Sequence, residues 1–177
     1  MAVKTPTKKS AAKPAAKAVS KNGASKNGVA AKKQWVFLFN DEKGVSKITK
    51  SWSEVRDLLG GKGAGLFDMT RAGLPVPPGF TLSTEVCNEF VKAGNKIPAD
   101  AWEQALAAMK VVEKQTGKRF GGGTPGIRPL LVSVRSGARE SMPGMMETVL
   151  NVGLNDKTVE EMIAVTGKDR FAYDSYR

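Results

Sequence analysis

The 177-residue sequence contains no histidine and a single cysteine, Cys87. Without histidine there is no Ser-His-Asp or Cys-His nucleophile, no His-ligated metal site, and none of the commonest general base at neutral pH. Chemistry carried by this chain therefore runs on Lys, Arg, carboxylates and backbone N–H groups, or is completed elsewhere. A lone cysteine excludes an intramolecular disulfide and, with no histidine beside it, a zinc cluster. It fits a reducing compartment. No apolar run approaches the ~18 residues of a bilayer span, and the N-terminus lacks the apolar centre of a secretory signal. A cytoplasmic protein with no membrane partner is expected.

Acidic residues are missing from residues 1–33, which hold nine lysines and no arginine. The formal net charge is +11, but without those nine lysines 19 basic residues face 17 acidic ones, a balance of +2 for residues 34–177. The basicity belongs to the tail, and the rest carries no strong footprint for nucleic acid. The tail is rich in Lys, Ala, Ser, Gly and Asn and repeats SKNG at 20–23 and 25–28. Disorder is the expectation for 1–33. The alternative is a polyanion-binding arm, with nucleic acid at most a weak partner of the tail. The lack of Arg argues against a mitochondrial transit peptide.

Order is expected to begin at Gln34. QWVFLF (34–39) reads as a buried strand and NDEKG (40–44) as a turn. Residues 58–80 read as a glycine turn leading into a short helix, with Leu66, Met69 and Ala72 on one face and Gly73 as its cap. GFTLS (79–83) is a strand, and Ser83 or Thr84 can cap a helix running to Gly94. Pro98 opens a helix to Thr116, with Ala101, Ala105, Ala108, Met109 and Val112 as its core stripe and Cys87 a buried hydrophobe on the helix before it. Residues 119–129 read as a flexible connector, 130–135 as a strand, and 156–167 as a helix with Thr158 and Glu161 at capping-box spacing. RFAYDSYR starts another helix. The three tryptophans read as core or edge packing. The fold class expected is α/β (α+β), not a regular doubly wound sheet.

Two stretches could carry chemistry. In GGKGAG (60–65) the glycines let backbone N–H groups approach an anion, the following helix start adds partial positive charge, and Lys62 supplies an ammonium. It is not the Gly-x-x-x-x-Gly-Lys-Ser/Thr loop, and a solvated Lys at a glycine-rich helix start is the competing reading. In LLVSVRSGARESMPGMMETVLNVGLND (130–156), Arg135 and Arg139 can clamp phosphate oxygens. Gly137 and Gly144 permit an anion nest, Ser141 and Thr148 add hydroxyls, and Met142, Met145 and Met146 form an adaptable surface. An exposed hairpin with Arg139 paired to Glu140 or Glu147 stands equally open. No close pair of carboxylates suggests a Mg²⁺ site. Asp41–Glu42 sits in a turn, Glu160–Glu161 on a solvated face, and Glu147 is best placed.

These stretches, with LLGGKGAGLFDMTRAGLPVPPGFTLSTEVC (58–87) and RFAYDSYR (170–177), resemble the N-terminal part of the pyruvate, phosphate dikinase family from Trp35 to Arg177. Phosphoenolpyruvate synthases share the GGK…VPPGF segment but lack SMPGMM, which leaves a synthase-like fragment as the rival. The resemblance implies the N-terminal portion of an ATP-grasp nucleotide-binding domain over 34–177. It implies conversion of ATP, phosphate and pyruvate to AMP, diphosphate and phosphoenolpyruvate with Mg²⁺, through a histidine on a separate domain. Lys62 and Arg135, with Arg139 beside them, would contact the ATP phosphates. Ser141, Gly144, Met145, Glu147 and Thr148 would belong to a loop covering those phosphates. No catalytic residue and no metal ligand is assigned in this chain. The histidine domain, the pyruvate barrel and the Mg²⁺ carboxylates of the family have no counterpart in these residues. A fragment with at best weak nucleotide binding, and a homodimer as one option for assembly, is therefore the expectation.

Overall fold

The computed structural model describes residues 33–137 and 147–177. Arg139, Ser141, Gly144 and Met145, and the tail to residue 32, lie outside the described residues. The described part is a mixture of helices and three small two-stranded ladders, the α+β alternative of the sequence expectation. Strand β1 (Val36–Leu38) pairs antiparallel with β2 (Phe80–Leu82). Between them run helices α1 (Glu42–Ile48) and α2 (Trp52–Arg71). Helices α3 (Thr84–Lys92) and α4 (Ala99–Thr116) follow, then β3 (Arg119–Phe120) and β4 (Pro129–Leu130), which pair in parallel. Strands β5 (Val132–Arg135) and β6 (Thr148–Val152) form an antiparallel pair, and α5 (Asp156–Thr166) and α6 (Asp169–Tyr176) complete the described chain.

The expected turn at 40–44 is instead the start of α1. The Asp41 carboxylate accepts from the Gly44 N–H at 2.9 Å and from Gln34 Nε2 at 2.7 Å. An Asp in that role satisfies donors that a helix start leaves open, so NDEKG initiates a helix rather than reversing the chain. Helix α2 likewise begins earlier than expected, at Trp52, and the glycine turn shrinks to one residue. Gly60 has φ 70° and ψ 165° and divides α2 into two helical pieces. That region of backbone space is essentially reserved for glycine.

The break sets which side chains enter the core. Val55, Leu58 and Leu59 are buried before it, and Gly63, Ala64 and Phe67 after it, all but Gly63 in a cluster with Phe37 and Val45. The expected stripe of Leu66, Met69 and Ala72 is on the outer side, with Met69 and Ala72 exposed and Leu66 half-buried. Gly63 is pressed on β2, so that a Cβ there would lie 2.8 Å from Thr81 Cγ2 and 3.3 Å from Leu59 Cβ.

A second cluster joins Trp35 and Val36 to Val86, Ala101 and Ala108, which places α4 across the first ladder. Gln104 fixes that crossing: its Oε1 accepts from the N–H groups of Trp35 (2.7 Å) and Val36 (3.2 Å), and its Nε2 donates to the Lys33 carbonyl (2.8 Å). Trp35 is buried, whereas Trp52 and Trp102 are exposed. Cys87 is exposed, not buried, because α3 turns Val86 inward. Ser83 occupies the position before α3 but makes no side-chain cap bond, and its Oγ is buried without a partner. Thr84 Oγ1 donates instead to the Asp57 carbonyl of α2 at 2.6 Å.

The connector at 119–129 begins and ends in the parallel β3–β4 pair and is held at two points. Glu113 of α4 accepts from the Phe120 N–H at 2.8 Å, and both oxygens of Glu161 accept from the Gly123 N–H at 2.9 and 3.0 Å. The expected Thr158–Glu161 box is therefore displaced by one turn. Asn155 and Thr158 form the capping box, which frees Glu161 to reach the connector. The strand expected over 130–135 is interrupted at Leu131, which packs with Leu154 and Ile163 against the buried Val159, Met162 and Ala172. The terminal RFAYDSYR is helical as expected. Its Tyr173 hydroxyl donates to Glu160 at 2.9 Å, and Tyr176 donates to Asp156. These bonds to carboxylates raise both phenol pKa values above their ordinary range.

The two glycines that shape α2 make opposite demands that a methyl group tests directly. Gly60→Ala forces a non-glycine residue into a glycine-only conformation and is expected to cost about 1–3 kcal/mol. Gly63→Ala overpacks the contact with Thr81 and is expected to cost about 1–3 kcal/mol, part of which a second change, Thr81→Ser, recovers. Urea unfolding of the three variants checks both.

Candidate functional site

Lys62 stands two residues beyond the Gly60 break, in the first turn of the second helical piece of α2. Its neighbours Gly63 and Ala64 turn into the core, which leaves Lys62 and Gly65 on the opposite, half-covered side. Among the described residues Lys62 has no ion pair or hydrogen-bond partner. An ammonium with no internal counter-ion, at a helical start, is a place for an anion.

Arg135 closes β5. Antiparallel register sets it opposite Thr148, and Ser136 continues the closure by donating its N–H (3.3 Å) and its Oγ (3.0 Å) to the Glu147 carbonyl. The structure thus brings Arg135, Glu147 and Thr148 together at the two ends of the 138–146 segment. All three are exposed, and Arg135 has no ion-pair partner among the described residues. The hairpin reading of this stretch is therefore correct for its arms, and an anion-binding tip is compatible with it.

Lys62 and Arg135 lie on elements that pack mainly on different partners. Helix α2 packs on α3 and β2, β5 packs on β6, and α4 touches β1, β2 and β3. Two residues that hold this framework, Gln104 and Glu161, were not legible beforehand. Their partners lie 69 and 38 residues away in the chain, and a single glutamine or glutamate on a helix carries no signal of such a bond.

A cavity of about 300 Å³ opens beside β1, lined by Gln34, Val36, Leu38, Gln104, Ala108 and Val111 among others. Its polar groups already serve backbone contacts, and neither Lys62 nor Arg135 lines it. Among the described residues no three Asp, Glu or Cys side chains converge as metal ligands. Glu147 belongs to no such group among the described residues, and no metal-assisted step is derived for them. Among the described residues no helix is long and apolar enough to cross a membrane.

Residues 56–116, which include Lys62 and the Gly60 break, match the family described as the pyruvate phosphate dikinase AMP/ATP-binding domain. This chain is a relative of the pyruvate, phosphate dikinases. It is 54% identical to the pyruvate, phosphate dikinase of Entamoeba histolytica over 144 residues, 81% of this chain and 15% of that protein. Against pyruvate, phosphate dikinase 1, chloroplastic, of Oryza sativa the identity is 52% over 145 residues, 82% of this chain and 14% of that protein. Against the Clostridium symbiosum dikinase it is 50% over 135 residues, 76% of this chain and 15% of that protein. The chain therefore spans about 15% of the length of the curated relatives it matches.

The position of Arg135 sets its expected effect on the fold. It is exposed and unpaired among the described residues, so Arg135→Ala is expected to change stability by no more than about 0.5 kcal/mol. Thermal unfolding of that variant beside the parent measures it, and a larger loss would show that Arg135 supports the hairpin.

Proposed function

We propose that this chain supplies phosphate-binding elements of a dikinase nucleotide site, and that its activity belongs to the conversion of ATP, phosphate and pyruvate to AMP, diphosphate and phosphoenolpyruvate. The observation that carries the reading is Lys62, an unpaired ammonium at a helical restart inside the segment matched by the AMP/ATP-binding family. Arg135, at the mouth of the hairpin, supplies a second permanent positive charge. Phosphoryl transfer rests on positioning and charge stabilisation more than on covalent chemistry by the protein. Lys62 and Arg135 would hold and neutralise phosphate oxygens, and residues 141–148 would cover them and exclude water. The fold expected for the complete unit is an ATP-grasp domain, with Mg²⁺ ligands and the phosphohistidine supplied by residues other than these. A cytoplasmic setting suits the exposed, unpaired Cys87.

Calorimetric titration with ATP tests the reading on the full 177-residue chain. Lys62→Ala and Arg135→Ala are each expected to weaken ATP by about tenfold or more, ~1.4 kcal/mol. Deletion of residues 1–32 is expected to leave the affinity unchanged. Binding that disappears with the tail and survives both substitutions would show instead a polyanion-binding arm.

A further inference from the structure

Glycine in a helix interior is unfavourable relative to alanine, so each one that stays there has a cause. In α1, a Cβ on Gly44 would collide with the Asp41 carboxylate that caps the helix. In α2, Gly60 needs its positive φ, and Gly63 is pressed on Thr81. Gly65 has neither cause. Its backbone is helical, and a Cβ built on it meets nothing within 4 Å beyond its own chain neighbours and the backbone of its own helical turns.

The position of Gly65 supplies the cause that the fold does not. It lies three residues after Lys62, on the same half-covered side of α2, and both are turned away from the buried Gly63, Ala64 and Phe67. In a helix the Cα–Cβ bond tilts toward the N-terminus, so a side chain covers the turn before its own Cα. A methyl at position 65 would therefore sit over the turn at residues 61–62, which carries Lys62 at the start of the second helical piece.

We propose that Gly65 is the residue that keeps the Lys62 turn open, so that a phosphate of a nucleoside triphosphate can reach the helix backbone there. Lys62 supplies the charge, and Gly65 supplies the absence of a side chain between that charge and the incoming phosphate. This rests on the reading of Lys62 as a phosphate-binding residue, and it adds a steric requirement that the charge alone does not contain.

Gly65→Ala separates the two. Thermal unfolding and calorimetric titration are carried out on the full chain, with ATP and with inorganic triphosphate as probes. The expected result is a variant that melts above the parent and binds both probes weaker by about tenfold. A variant that melts higher and binds within about twofold of the parent overturns the proposal, while loss of binding in Lys62→Ala would leave the phosphate-site reading intact. A lower melting temperature for Gly65→Ala also overturns it, because the glycine would then serve the fold. A loss confined to ATP would place the nucleoside, not a phosphate, at Gly65 and contradict the assignment. Failure of the parent chain to bind either probe would remove the phosphate-site reading itself.

Discussion

The backbone at Gly60 is the constraint on which the rest of the first half depends. With φ 70° and ψ 165°, it stops one helical piece and starts another with a new phase. The first piece buries Val55, Leu58 and Leu59, and the second buries Ala64 and Phe67 against Phe37 and Val45. An unbroken helix through 52–71 would keep one apolar face throughout. The break instead lets the chain bury both segments in one core. Lys62 occurs in the first turn after the break, so the feature that completes the core also places a charge at a helical start.

Packing then distributes the motif GGKGAG over different tasks. Gly60 turns the chain, Gly63 lets α2 lie on β2, and Gly65 faces outward with Lys62. A glycine-rich stretch that looks like one phosphate-binding device is thus in part a device for folding. The second candidate region is built by different means. A two-stranded ladder brings Arg135 opposite Thr148, while α4 holds β1 through Gln104 and β3 through Glu113.

Much of this was legible where local rules act alone. The run QWVFLF gave β1 and the periodic apolar positions gave α4, and Gly117 and Gly167 close α4 and α5 in left-handed conformations. The apolar runs flanking the Arg/Met stretch pair as strands, the hairpin alternative of the sequence reading, and their register sets Arg135 opposite Thr148. What failed depended on partners distant in the chain or on competing caps. Asp41 takes its role in α1 while also holding Gln34, Thr158 is claimed by Asn155, and Glu161 is then available to Gly123. Cys87 was misplaced by a single helical position, because Val86 took the inward direction. Lys62 could be singled out from the motif, but nothing in the spacing of the chain tells which elements it and Arg135 pack against.

The joint action of Lys62 and Arg135 is the central claim to test. Amide hydrogen exchange of the full chain, followed residue by residue with and without ATP, reads both regions in one experiment. The account predicts added protection in the same titration at the N–H groups of 61–63 and at the hairpin ends around Arg135 and Thr148, with one shared midpoint. Protection at only one of the two regions, or midpoints that differ, would contradict a single nucleotide site built from both.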